Sequence, residues 1–207
     1  MWDIVLAVSA ALFSVVNPLG AVPVFLAMTP DQSVEERRTT ALHASIYFFI
    51  ILLVFFLAGA TILEFFGITL TSLRIAGGII IFGSGAQLLS GTMRKSRSIT
   101  SEVQEEALEK EDISFTPLAM PLLSGPGSIS LMIGYFKGYE SILDRGAVLL
   151  ALLLVTMIVW LILRTSPLIF KVLGVAGIRA ISRIMGFIVM AIGVELITSS
   201  IRAVITG

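Results

Sequence analysis

The chain has 207 residues, of which 57% are hydrophobic and 14% charged, with no cysteine and zero formal net charge. Soluble domains carry roughly 25% charged residues, so the composition excludes a soluble domain and reads as an integral membrane protein. Balanced charge without a long basic block gives no reason to expect a nucleic-acid partner, and the lack of cysteine excludes disulfides and thiol chemistry.

Crossing a ~30 Å hydrocarbon core takes about 20 apolar residues, and six stretches qualify: 4–28, 41–63, 73–89, 113–136, 147–163 and 184–201. Little chain remains outside them. The expectation is an all-α membrane protein, a single transmembrane domain over 1–207, with halves at 1–92 and 113–207 joined by an acidic cytoplasmic linker at 93–112. The first stretch lacks a basic region ahead of it and is too long for a signal peptide, so it reads as a retained span. Lysine and arginine in short loops set orientation. With both termini outside, Arg37, Arg38, Arg94, Lys95, Arg97, Lys110, Arg164, Lys171, Arg179 and Arg183 fall inside, and only Arg74, Lys137, Arg145 and Arg202 fall outside.

In chain order, the first span holds "FSVVNPLGAVPVF" at 13–25. Proline within a helix costs about 3 kcal/mol and glycine about 1 kcal/mol, so Pro18, Gly20 and Pro23 predict an interruption. The second span carries His43 near its inner end, which reads as interfacial. The third begins at Arg74 and carries Gly77, Ser84 and Gln87, with Gly91 just beyond. "SEVQEEALEKED" at 101–112 reads as a solvated, helix-prone connector. The fourth span holds "AMPLLSGPGSISL" at 119–131, a second interruption, and the sixth runs on from Arg183 and contains Glu195.

These features suggest an internal repeat. Six of the seven prolines belong to the first span or its end and to the fourth span. A shift of 107 superposes Asn17 on Ser124 and Gly20 on Gly127, and a shift of 108 superposes Pro18 on Pro126; both registers stay open. In the third and sixth spans a shift of 109 brings Arg74 onto Arg183 and the row Gly77, Ser84, Gly91 onto Gly186, Gly193, Ser200. Small residues seven apart share a helix face and let backbones approach. A repeat of three spans has odd parity, so the halves would be inverted. Inverted repeats with discontinuous helices in matching positions point to a secondary transporter with a midplane site.

Lipid cannot satisfy the backbone groups freed at a break, so a break must face protein, water or ligand. Half-helix ends offer free carbonyls and free amides together, which suits a small zwitterion. Its carboxylate would take amides near Gly20, Ala21, Gly127 and Ser128, and its ammonium the oxygens of Ser14, Asn17 and Ser124. Glycines 20, 125 and 127 would allow close approach. Glu195, the acid well inside a span, and Gln87 are the candidates for coupling, with an outer-interface position an equal reading for Glu195. Arg74 and Arg183 read as snorkelling cations. No metal-ligand cluster, activated nucleophile or nucleotide motif stands out, so neither enzymatic activity nor a cofactor is expected.

The stretches "NPLGAVPVFLAMTP" and "PLAMPLLSGPGSI", with "RIAGGIIIFGSGAQLL" and "RIMGFIVMAIGVELI", resemble the MarC family of inner-membrane proteins over nearly the whole chain. The resemblance implies a multi-pass protein of the cell (inner) membrane with six spans. It implies transport of small neutral amino acids such as glycine and alanine, as in transporters of the SnatA type, proton-linked by symport, with export in some relatives. It places Asn17, Pro18, Gly20, Ser124, Gly125, Pro126 and Gly127 in the discontinuous segments, and Leu19, between Pro18 and Gly20, is a further candidate for contact with substrate. The competing reading is a passive small-solute channel, because Asn-Pro also opens the half-helices of water and glycerol channels. A third is a regulatory membrane subunit.

Overall fold

The computed structural model describes residues 1–90 and 113–206, and all of its regular structure there is helical. Helix α1 (Trp2–Val16) and α2 (Pro18–Met28) meet at Asn17. Then follow α3 (Val34–Phe65), α4 (Leu70–Ser90), the irregular α5 (Ser114–Leu123), α6 (Pro126–Gly138), α7 (Ile142–Arg164) and α8 (Ser166–Thr206). Helices α3, α4, α7 and α8 are each long and apolar enough to cross a membrane, and α1 with α2, bent by 40°, makes a fifth if counted as one span. The expected fourth span, 113–136, is divided between α5 and α6 within the interrupted stretch 119–131, and α5 is itself opened by extended backbone at Thr116 and Met120. The connector 93–112 lies outside the described residues.

The sequence accounts for the ends of these helices. Ser33 starts α3 with a reciprocal cap, its hydroxyl accepting from the Glu36 amide while the Glu36 carboxylate accepts from the Ser33 amide. Arg37 closes α2 from the opposite side of that turn, donating to the Thr29 carbonyl at 2.6 Å and to the Thr29 hydroxyl at 3.1 Å. A cation there meets the negative end of α2. Within α8, Gly174 has φ 60° and ψ −178°, a conformation essentially restricted to glycine. It separates residues 166–173 from 175–206, so α8 extends well beyond the expected span 184–201.

The core lies between α1, α2, α3, α6 and α7, where Leu12, Phe25, Phe48, Leu52, Met132, Leu152 and Val155 are all but fully buried. Apolar side chains also cover the outside, among them Ile50, Leu153 and Phe187, as expected where the solvent is lipid.

Helices α4 and α8 cross antiparallel with backbone against backbone. A β-carbon on Gly85 would lie 2.6 Å from the Gly186 carbonyl oxygen, and one on Gly186 would lie 2.8 Å from the Gly85 carbonyl oxygen. Gly78 and Gly193 meet in the same way two turns along each helix. The small-residue row that faces α8 is therefore Gly78 and Gly85, not Gly77 and Ser84. Gly77 faces Ser130 of α6, Ser84 is exposed, and Gly91 lies outside the described residues. These glycines are related by a shift of 108, the shift that also superposes Pro18 on Pro126.

Candidate functional site

The first break is built by Asn17. Its backbone is left-handed at φ 46° and ψ 59°, so α1 stops there and α2 starts at once with Pro18 in its first turn. Asparagine tolerates this conformation better than most residues. Proline suits the first turn because its missing N–H would have no helical partner. The Asn17 Oδ1 accepts from the Gly20 amide at 3.3 Å, so this half-helix is capped by its own chain. Gly20 is required by that cap, since a β-carbon would collide with the Asn17 side chain. Asn17 is 7% exposed, Pro18 and Ala21 are buried, and Leu19 and Gly20 are half-buried. Ser14 is buried too, but its hydroxyl donates to the Ala10 carbonyl at 2.7 Å within α1.

The second break is differently satisfied. The Ser124 amide donates back to the Ala119 carbonyl at 2.8 Å, and Gly125 opens α6 in extended conformation with no side-chain cap. The first amides of a helix have no intrahelical acceptor, so Gly127 and Ser128 present theirs at the positive end of α6. The Ser128 hydroxyl is spent on the Gly125 carbonyl at 2.9 Å. Ser124 is 1% exposed. Its Oγ has no partner; among the described residues, buried hydroxyls without partners occur at Ser9, Ser124 and Ser166.

Ser124 lies on a cleft of about 300 Å³ between α4, α5 and α6, lined also by Leu73, Ala76, Gly77, Ile80, Met120, Pro126, Ile129 and Ser130. Ligand pockets run from roughly 300 to 1,000 Å³, so this one suits a small molecule. Gly77 lets Ser130 of α6 approach α4 at the cleft wall, because a β-carbon there would collide with Ser130. The Ser130 hydroxyl donates to the Leu73 carbonyl at 3.4 Å. Sequence reasoning missed Ser130, and the only signal for it was a small residue in the turn after the break.

The two breaks are neighbours. A β-carbon on Gly127 would lie 3.2 Å from Val15 Cγ1 and 2.8 Å from Ile81 Cγ1, so the first turn of α6 rests against the last turn of α1 and against α4. The cleft lining nevertheless comes from the second break alone; of the sequence-derived candidates it contains Ser124 and Pro126. Gln87 and Glu195 stand on exposed faces of α4 and α8, apart from the cleft. Arg74 reaches across to α6, donating to the Gly134 carbonyl at 3.4 Å.

Helices long enough to cross a membrane, together with two buried helix breaks packed against one another, define a multi-pass α-helical membrane protein. The sequence comparisons agree. The model of the family described as MarC family integral membrane protein matches residues 2–205. UPF0056 membrane protein YhcE of Escherichia coli is 38% identical over 196 residues, covering 95% of this chain and 91% of that protein. UPF0056 membrane protein YvbG of Bacillus subtilis is 34% identical over 202 residues, covering 98% and 96%. UPF0056 inner membrane protein MarC of Citrobacter koseri is 35% identical over 206 residues, covering 94% and 92%. The chain belongs to the MarC family, as a multi-pass protein of the inner membrane. No solved structure matches it.

Proposed function

We propose that the chain is a secondary transporter of small neutral amino acids, glycine and alanine among them, that binds its substrate at the second helix break. Six crossings as two inverted three-helix halves, termini outside, with α5 and α6 together making the fourth, complete the arrangement. The observation that carries the reading is the Ser124 hydroxyl, buried and without a partner, on a residue that borders the cleft at an uncapped helix start. A carboxylate that reached the start of α6 would accept from that hydroxyl and from the Gly127 and Ser128 amides, which lie buried behind the cleft lining in this structure, so that substrate would supply hydrogen bonds the protein leaves open. Asn17 already caps α2 with its oxygen, so the first break holds shape while the second receives the anionic end. The small cleft and its apolar walls favour a short side chain.

Alternating access around such a site would open the matching cleft of the other half in turn, with α8 in the place of α4. Proton coupling is the expected drive, with Glu195 and Gln87 as the candidates. The test is transport by purified protein in liposomes. Labelled glycine or alanine should enter saturably under an imposed pH gradient and exchange in counterflow. A passive channel would instead give unsaturable permeability without counterflow.

A further inference from the structure

From Arg164 to Arg183 the chain carries Arg164, Lys171, Arg179 and Arg183 and no acidic residue. All four are exposed, and among the described residues none has a carboxylate partner. Arg164 lies 5.0 Å over the Trp160 ring, and a tryptophan beside a cation at the end of an apolar helix marks the membrane interface. The next residues remain at that level. Gly174 breaks α8, and the helix that follows it is about 48 Å long at 1.5 Å per residue, against a ~30 Å hydrocarbon core. The excess length leaves turns outside the core, and the exposed Arg179 and Arg183 assign its first turns to the interface. Arg179 and Arg183 are spaced i,i+4 on one face, an arrangement in which like charges repel unless an anion lies between them. Leu168, Val172 and Val175 are exposed among these cations at 61%, 74% and 54%.

From these features we infer that residues 164–174 lie along the membrane surface and, with the interfacial start of the helix that follows, bind anionic phospholipid. The arginines take the phosphate and headgroup, and the exposed apolar residues dip into the acyl region. A soluble anion would use the cations and leave Leu168, Val172 and Val175 without a role, so the occupant is a lipid. Charge attraction of this kind contributes about a factor of five in binding for each cation near the surface.

The full-length protein, purified in a neutral detergent, is titrated with phosphatidylglycerol, phosphatidylcholine or inorganic phosphate while its melting temperature and bound lipid are followed. Phosphatidylglycerol should bind more tightly than phosphatidylcholine, and less so as salt rises. Its affinity should fall about 25-fold in the double variant Arg179→Gln with Arg183→Gln. Replacing both by lysine should restore it. Arg38→Gln, at a cation paired with Glu35 at 3.3 Å, should leave it unchanged. Equal binding of the two lipids, undiminished phosphatidylglycerol affinity in the glutamine variant, or an equal effect of inorganic phosphate would each overturn the inference.

Discussion

A β-carbon on Gly78 would lie 2.8 Å from the Gly193 carbonyl oxygen, and one on Gly193 would lie 2.7 Å from the Gly78 carbonyl oxygen. The reciprocity means that neither helix can carry a side chain at this crossing, and α4 and α8 are held at backbone distance. Gly78→Val and Gly193→Val should each destabilise the protein by about 1–3 kcal/mol. Gly83→Ala, at a position with nothing within 4 Å, should be neutral or slightly stabilising, because alanine is the better helix former. Thermal unfolding in detergent checks the contrast.

The same crossing shows what the sequence can and cannot reveal. Gly77 and Gly78 are adjacent, so each offers a row of small residues, and the rows differ by 100° around the helix. Nothing local chooses between them. In the fold both are used, Gly78 against α8 and Gly77 against Ser130 of α6. The breaks were legible because Asn17, Pro18 and the Ser-Gly-Pro-Gly run act on the backbone where they stand. The availability of each hydroxyl was not. Ser14, Ser124 and Ser128 look equivalent as residues, yet Ser14 and Ser128 donate to carbonyls of their own neighbourhood while Ser124 does not. Gly174 escaped notice for a related reason: a single glycine in an apolar run is usually tolerated within a helix.

Asn17 combines an unusual backbone with a cap, and substitutions separate the two. Asn17→Ala loses the cap at a cost of about 1 kcal/mol and keeps a left-handed residue that costs about another 1 kcal/mol. Asn17→Gly should recover the second part only. Asn17→Asp retains an acceptor for the Gly20 amide and should stay closest to the parent in stability. Gly20→Ala should resemble Asn17→Ala, because its methyl displaces the capping side chain. Melting temperatures of the four variants give the order.

Substitution should weaken binding at Ser124 and leave it unchanged at Ser14. Ser124→Ala removes a hydroxyl that has no partner in the protein, so stability should change by no more than about 0.5 kcal/mol. A hydrogen bond to a charged group contributes about 1.5–3 kcal/mol, so substrate affinity should fall roughly 10- to 100-fold. Ser14→Ala breaks only a bond within α1 and should leave affinity unchanged. Ligand-induced thermal shifts with glycine and alanine measure both.

Gly127 positions the open helix start against α1 and α4. Valine there would press on Val15 and Ile81, moving the Gly127 and Ser128 amides away from the cleft. Gly127→Val should abolish transport and cost about 1–3 kcal/mol of stability. Normal flux in that variant would instead favour a role for the chain that does not use the break.

The most direct test of a substrate site at the second break compares wild-type protein and Ser124→Ala in liposomes, measuring uptake of labelled alanine and glycine under pH gradients of both directions. Saturable uptake and counterflow by the wild type, with a half-saturating concentration raised roughly 10- to 100-fold in the variant, is the predicted result. No flux of any small neutral amino acid in either direction, or identical kinetics for the two proteins, would contradict it.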